Sequence, residues 1–303
     1  MIKLYFTNNW GENDKTFIKR LVTTSKNNSG KWNNIEYTNN INDSDYIISL
    51  GGIPNINADL KKILIFQREP DVLSVMPQYN NNTFNYKRLH HMWTHPEHMQ
   101  MNYDDFFNLK YTKKTKLCST VTSMRLHSPL AKQRVKFITN LCKKYPGIID
   151  VFGEGWDNRL GKSYKGELKW HNLGGIKRQK TDNENANESK YNGLKDYSYS
   201  LCFENSSYDN YFTEKITDCM LSWTIPIYFG CPNIDKYFPS ESYYIVDIND
   251  VDNIDKVIEI INKPITEKNI EALSKARDLI LNKYNMWATI DEIITNKNNE
   301  KNI

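Results

Sequence analysis

The chain reads as an α/β protein of two Rossmann-like domains facing a cleft. Short apolar runs bounded by Gly, Asn and Pro alternate with amphipathic helical stretches, the pattern of a parallel sheet covered by helices. That alternation begins afresh near Thr115, and 303 residues suffice for two ordinary domains with sizeable cores. The expected division is 1–114, 115–288 and a tail, 289–303, whose last residues should fray.

In the first block, 2–6 reads as a strand and 14–24 as an amphipathic helix with Phe17, Ile18 and Leu21 on one face. Residues 35–38, 46–50 and 63–66 read as further strands, and 80–111 as an aromatic, irregular stretch. In the second block, 117–122 is a strand. Residues 131–144 form a helix, with Val135, Ile138, Leu141 and Cys142 at spacings of three and four, and 148–152 is a strand closed by Gly153. Residues 174–195 carry almost no apolar side chains and read as an exposed loop, its lysines balanced by Asp182, Glu184 and Glu188. Strand 197–203, helix 212–223 and the fully apolar strand 225–229 follow. Much of 259–287 is helical.

Composition narrows the function. Forty Lys and Arg against 36 Asp and Glu leave a net charge of +4, spread without the basic stripe that duplex binding requires, so no nucleic-acid partner is expected. No run of about 18 apolar residues is present, and the N-terminus lacks the apolar core of a signal peptide, so the expectation is a soluble, cytoplasmic protein without a membrane span. Five cysteines with no CxxC pair predict reduced core thiols, with neither a disulfide framework nor a zinc ribbon.

The most informative stretch is residues 201–234, LCFENSSYDNYFTEKITDCMLSWTIPIYFGCPNI. A buried strand delivers Glu204 and Asn205 to its C-terminal end, where open α/β sheets bind ligands. The helix that follows opens with Thr213-Glu214-Lys215. Its N-terminus offers free N–H groups and partial positive charge, so a lysine there runs against the dipole unless an anion such as a diphosphate neutralises both. On spacing alone, a solvated lysine on the helix face explains Lys215 equally well.

FENS, a short loop, Y-x-TEK and then IPIYFGCPNI together resemble the signature of the α1,3-fucosyltransferases, glycosyltransferase family 10, over more than thirty consecutive residues. The resemblance implies a GT-B architecture, with an acceptor-binding N-terminal domain and a C-terminal domain that holds GDP-fucose. It also implies inversion at the sugar and no required metal or other cofactor. Carried over, Glu214 grips the donor ribose, Lys215 faces the diphosphate, Tyr211 lies along the nucleotide and Asn205 belongs to the donor site. The segment 123–153 resembles the family's donor-domain helix, which makes Arg134 the diphosphate arginine, with Arg125 as a competitor. Arg134 would bind two phosphate oxygens as a fork, complementing the point charge of Lys215.

The segment Ile65-Phe66-Gln67-Arg68-Glu69-Pro70 ends an N-domain strand in a carboxylate, and the resemblance makes Glu69 the catalytic base, although the family usually has Ser or Asn where Pro70 stands. His91 and His95 have helical spacing, yet Pro96 disfavours a preformed metal site. Trp93 and Tyr86 are instead read as stacking surfaces for an acceptor sugar. The function implied is transfer of L-fucose from GDP-fucose to a hydroxyl of a glycan acceptor, at O3 or O4 of a GlcNAc-type sugar. Transfer of another sugar from a GDP donor and a non-catalytic sugar-nucleotide or glycan-binding module remain open as alternatives.

Overall fold

The structure is a computed structural model that describes residues 1–8, 12, 14–51, 56, 58–67, 85–88, 96–168 and 189–300. Two six-stranded sheets organise it. The first contains β1 (Ile2–Asn8), β2 (Lys31–Trp32), β3 (Ile35–Tyr37), β4 (Tyr46–Leu50), β5 (Ile63–Gln67) and β6 (Asn85–Arg88), in the order β2-β3-β1-β4-β5-β6. All its pairings are parallel except β2 with β3. The second contains β7 (Lys116–Val121), β8 (Asp150–Phe152), β9 (Tyr164–Gly166), β10 (Tyr197–Phe203), β11 (Ile225–Phe229) and β12 (Tyr244–Ile245), in the order β12-β11-β10-β7-β8-β9 and parallel throughout.

Helix α1 (Asp14–Val22) covers the first sheet, its Phe17 and Leu21 fully buried. Short helices α2 (Pro96–Met99) and α3 (Tyr103–Asn108) lead toward the second sheet. The stretch 80–111, expected to be irregular, therefore holds β6, α2 and α3 among its described residues. Each is too short to show a period, although the reciprocal cap between Asn102 and Asp105 marks where α3 starts. The second sheet carries α4 (Pro129–Lys144), α5 (Glu214–Leu221), α6 (Asn253–Ile261) and α7 (Glu267–Asn282). Strands β10 and β11 are buried nearly end to end because helices lie over both faces of a parallel sheet, which is why their sequences read as continuous apolar runs.

The second sheet reverses direction between β7 and β10. From β7 the chain passes through α4 to β8 on one side, whereas β10 leads through α5 to β11 on the other. The crevice at the C-terminal ends of β7 and β10 is thus a topological switch point, flanked by the N-terminal ends of α4 and α5. Gly153 closes β8 beside it. Its φ is +141°, and a Cβ there would lie 2.0 Å from the Thr122 carbonyl oxygen, so only glycine fits.

Of the segment 289–303, read as a tail, the described residues 289–300 instead continue helix α8 (Met286–Glu300), which packs against β2 of the first sheet. Trp287, Ile290 and Ile294 are fully buried. The Trp287 ring lies 5.2 Å from that of Phe6, and its indole N–H donates to the Leu21 carbonyl oxygen at 3.1 Å. Asn285 donates to the Thr24 carbonyl oxygen, and Asn33 to Asp291. All five cysteines are free and buried, as the sequence predicts.

Candidate functional site

Two side chains leave the end of β10 in different directions. Asn205 accepts a hydrogen bond from the Arg134 guanidinium at 2.7 Å. Its own carbonyl oxygen accepts from Ser128, the residue that caps α4. Arg134 lies on the inner face of α4, 3% exposed, with a second bond to the Phe203 carbonyl oxygen at 3.3 Å. Its Nε is buried with no hydrogen-bond partner. Burial pulls the guanidinium pKa down against the opposing attraction of Glu204 and Glu214, so a charge is held in a place that disfavours it.

Glu204 points the other way and is fully buried. Its carboxylate accepts from the Thr213 backbone N–H at 2.8 Å and from the Thr213 hydroxyl at 2.7 Å. Thr213 is the N-cap of α5, its Oγ1 accepting from the Lys215 N–H, and this fixes where the helix begins. The Lys215 ammonium, with its side chain 21% exposed, lies 3.0 Å from Thr213 Oγ1, 3.3 Å from Glu214 and 3.5 Å from Glu204. Burial works against that charge, but Glu214 and Glu204 outweigh it and raise the pKa, while Lys190 and Arg134 oppose. Burial also pushes the Glu204 carboxyl up, against the pull of Lys215 and Thr213.

Arg134 through Asn205 and Lys215 through Glu204 are therefore both tied to the end of β10, at the switch point. Two largely enclosed cations, one with an unused donor, converge beside the first turn of a helix. Chemically, such a place favours an anion that can reach both, with Arg134 offering directional donors and Lys215 a movable charge.

Residues 110–271, more than half of the chain, match a family model described as glycosyltransferase family 10 (fucosyltransferase), C-terminal part. The chain belongs to glycosyltransferase family 10. This family 10 chain is 42% identical over 82 residues to the α-(1,3)-fucosyltransferase FucT of Helicobacter pylori, a stretch that is 27% of this chain and 17% of that protein. It is 26% identical over 177 residues to the putative fucosyltransferase R654 of Acanthamoeba polyphaga mimivirus, 54% of this chain and 26% of that one. The matched stretches thus span about a quarter or less of those relatives. A glycosyltransferase from Rickettsia africae ESF-5 shares the fold, with a TM-score of 0.52 at 9% identity over 97% of each chain. Together with the two parallel α/β sheets, this is the GT-B architecture that the sequence predicts.

The structure sets Asn205, Glu214, Lys215 and Arg134 around the C-terminal end of β10, in the middle of the second sheet. Tyr211 is nearby in sequence but buried, on a loop clamped at its neighbour Asn210, whose backbone N–H donates to Asn233 Oδ1 at 2.8 Å and whose side-chain oxygen accepts from Asn233 Nδ2 at 2.9 Å. The competitor Arg125 is exposed and paired with Glu154 at 3.3 Å. Glu69 and Trp93 lie outside the described residues. Tyr86 sits in β6, opposite Ile65 of β5. Two charged residues have no assigned role in the sequence. Glu204, placed there with Asn205 at the strand's C-terminal end, holds the start of α5. Lys190, read as part of a solvated loop, is buried and ion-paired with Asp218 of α5. The apolar stretch starting soon after it was the available signal. Among the described residues, no group of three or more His, Cys, Asp or Glu is arranged to hold a metal ion, and no helix is long and apolar enough to cross a membrane.

Proposed function

We propose that this protein is an inverting fucosyltransferase that moves L-fucose from GDP-fucose to a glycan hydroxyl, O3 or O4 of a GlcNAc-type sugar. The observation that carries this reading is that Arg134 and Lys215 are held by the consecutive residues Asn205 and Glu204 at the end of β10, within the span matched to the family. In the proposed reaction the acceptor hydroxyl attacks the fucosyl C1 as Glu69 takes its proton, and the C1–O bond to GDP breaks. The negative charge that grows on the diphosphate is met by Arg134, Lys215 and the N-terminus of α5. Two protein cations can do the work that a divalent ion does elsewhere, so the reaction is expected to proceed in the presence of a chelator.

Asn205 orients the Arg134 guanidinium through the 2.7 Å bond, and Glu214 and Tyr211 take the nucleoside side of the donor. Tyr86 and Trp93 are assigned to the acceptor. Removing one charge-stabilising contact of this kind is worth about 2–4 kcal/mol in the barrier. Accordingly Lys215→Ala and Glu69→Gln should each lower turnover at least about a hundredfold. Transfer assays with labelled GDP-sugars on a glycan array, run beside calorimetric titration of GDP-fucose, test the proposal. Preference for GDP-mannose would reassign the donor. Tight donor binding without transfer or hydrolysis would make the protein a binding module.

A further inference from the structure

Residues 204 and 205 are consecutive, yet their side chains serve opposite halves of the site. Asn205 holds Arg134, and Glu204 holds the start of α5 through two bonds to Thr213, with Lys215 3.5 Å away. The end of β10 is therefore a short link between the two cations. We propose that Glu204 is a positioning residue that sets the separation of Lys215 from Arg134, and so adapts the site to a diphosphate and not to a single phosphate. This rests on the donor reading of the site.

A second observation supports it from the other side. Gly230, just after β11, packs directly on Glu204. A Cβ at Gly230 would lie 2.4 Å from Glu204 Cγ and 2.6 Å from the Tyr228 hydroxyl. The carboxylate is thus confined by the helix cap on one flank and by bare backbone on the other. A carboxylate enclosed this fully carries a desolvation penalty that apolar packing would avoid, which argues for a role beyond stability.

Glu204→Gln keeps the volume and one acceptor oxygen but removes the charge facing Lys215. Calorimetric dissociation constants for GDP and for GMP, in wild type and variant, read the separation directly. The expected result is at least a tenfold loss of GDP affinity and less than a threefold loss for GMP. Gly230→Ala, which displaces Glu204 without changing its chemistry, should shrink the GDP-to-GMP preference in the same direction. A general loss of stability would weaken both ligands in parallel and overturn the inference, as would an unchanged preference in both variants. Wild-type protein that fails to bind GDP would overturn the donor reading, and the inference with it. Wild-type binding with an unaltered preference in Glu204→Gln and Gly230→Ala would overturn the inference alone.

Discussion

Lys190→Met isolates the ion pair beneath α5. Lys190 is 6% exposed and Asp218 fully buried, with Nζ 2.5 Å from Oδ2. Burial disfavours the ammonium, but Asp218 more than compensates and the pKa ends above its ordinary value. A raised lysine pKa means that the pair's contribution is complete below the unfolded value of about 10.4, hence at pH 7. Removing one partner of a buried pair typically costs about 3–5 kcal/mol, because the other charge stays enclosed. With a urea m-value of about 3 kcal/mol per molar, the midpoint should fall by about 1 M or more. The assay is urea unfolding followed by far-UV circular dichroism. The double variant Lys190→Met with Asp218→Leu should recover most of the loss, since no charge is then stranded. A single variant with an unmoved midpoint, or a double variant as unstable as the single, would refute the reasoning.

Other outcomes follow from the same structure. Gly153→Ala forces a Cβ to within 2.0 Å of the Thr122 oxygen at a φ of +141°, so it should lose about 3 kcal/mol or more, read as a drop of at least about 6 °C in Tm. Arg277, on the buried face of α7, donates to the carbonyl oxygens of Leu221, Phe106 and Leu109 and lies 4.4 Å over the Trp223 ring. Arg277→Met should cost about 3 kcal/mol in urea unfolding and alter Trp223 fluorescence. Burial holds the Lys114 ammonium at a pKa of about 8, with Asp196 opposing and Arg277 adding to the depression. Between pH 8 and the unfolded value the unfolded chain binds the extra proton, so wild-type stability should rise with pH by up to about 1.4 kcal/mol per unit. Lys114→Met should lack that rise when the two are compared across pH 7.5–9.5.

The long elements were legible in sequence because their burial is one-sided or complete. Strands β4, β10 and β11 carry the expected bounds, and Val135, Ile138, Leu141 and Cys142 do face the core from α4. Arg134 and Lys215 were reached through the family resemblance, and no local pattern announces that Asn205 and Glu204 hold them at one strand end. Three kinds of feature were not legible. Strands of two or three residues, such as β2 and β12, have no period to read. Buried charges such as Lys190 and Glu204 resemble surface residues until their partners, 28 and 9 residues away, are in place. The role of α8 depended on a face too distant in sequence to be inferred from local pattern.

That distance has a further consequence. Trp287 binds the Leu21 carbonyl 266 residues upstream, and Ile290 and Ile294 fill out the interior beside strands translated long before them. The first sheet, translated well before α8, therefore receives part of its interior late, since Phe6 gains its Trp287 neighbour only once α8 has been made. Synthesis of α8 is therefore the step that seals the first sheet, and removing Trp287 would leave that seal open.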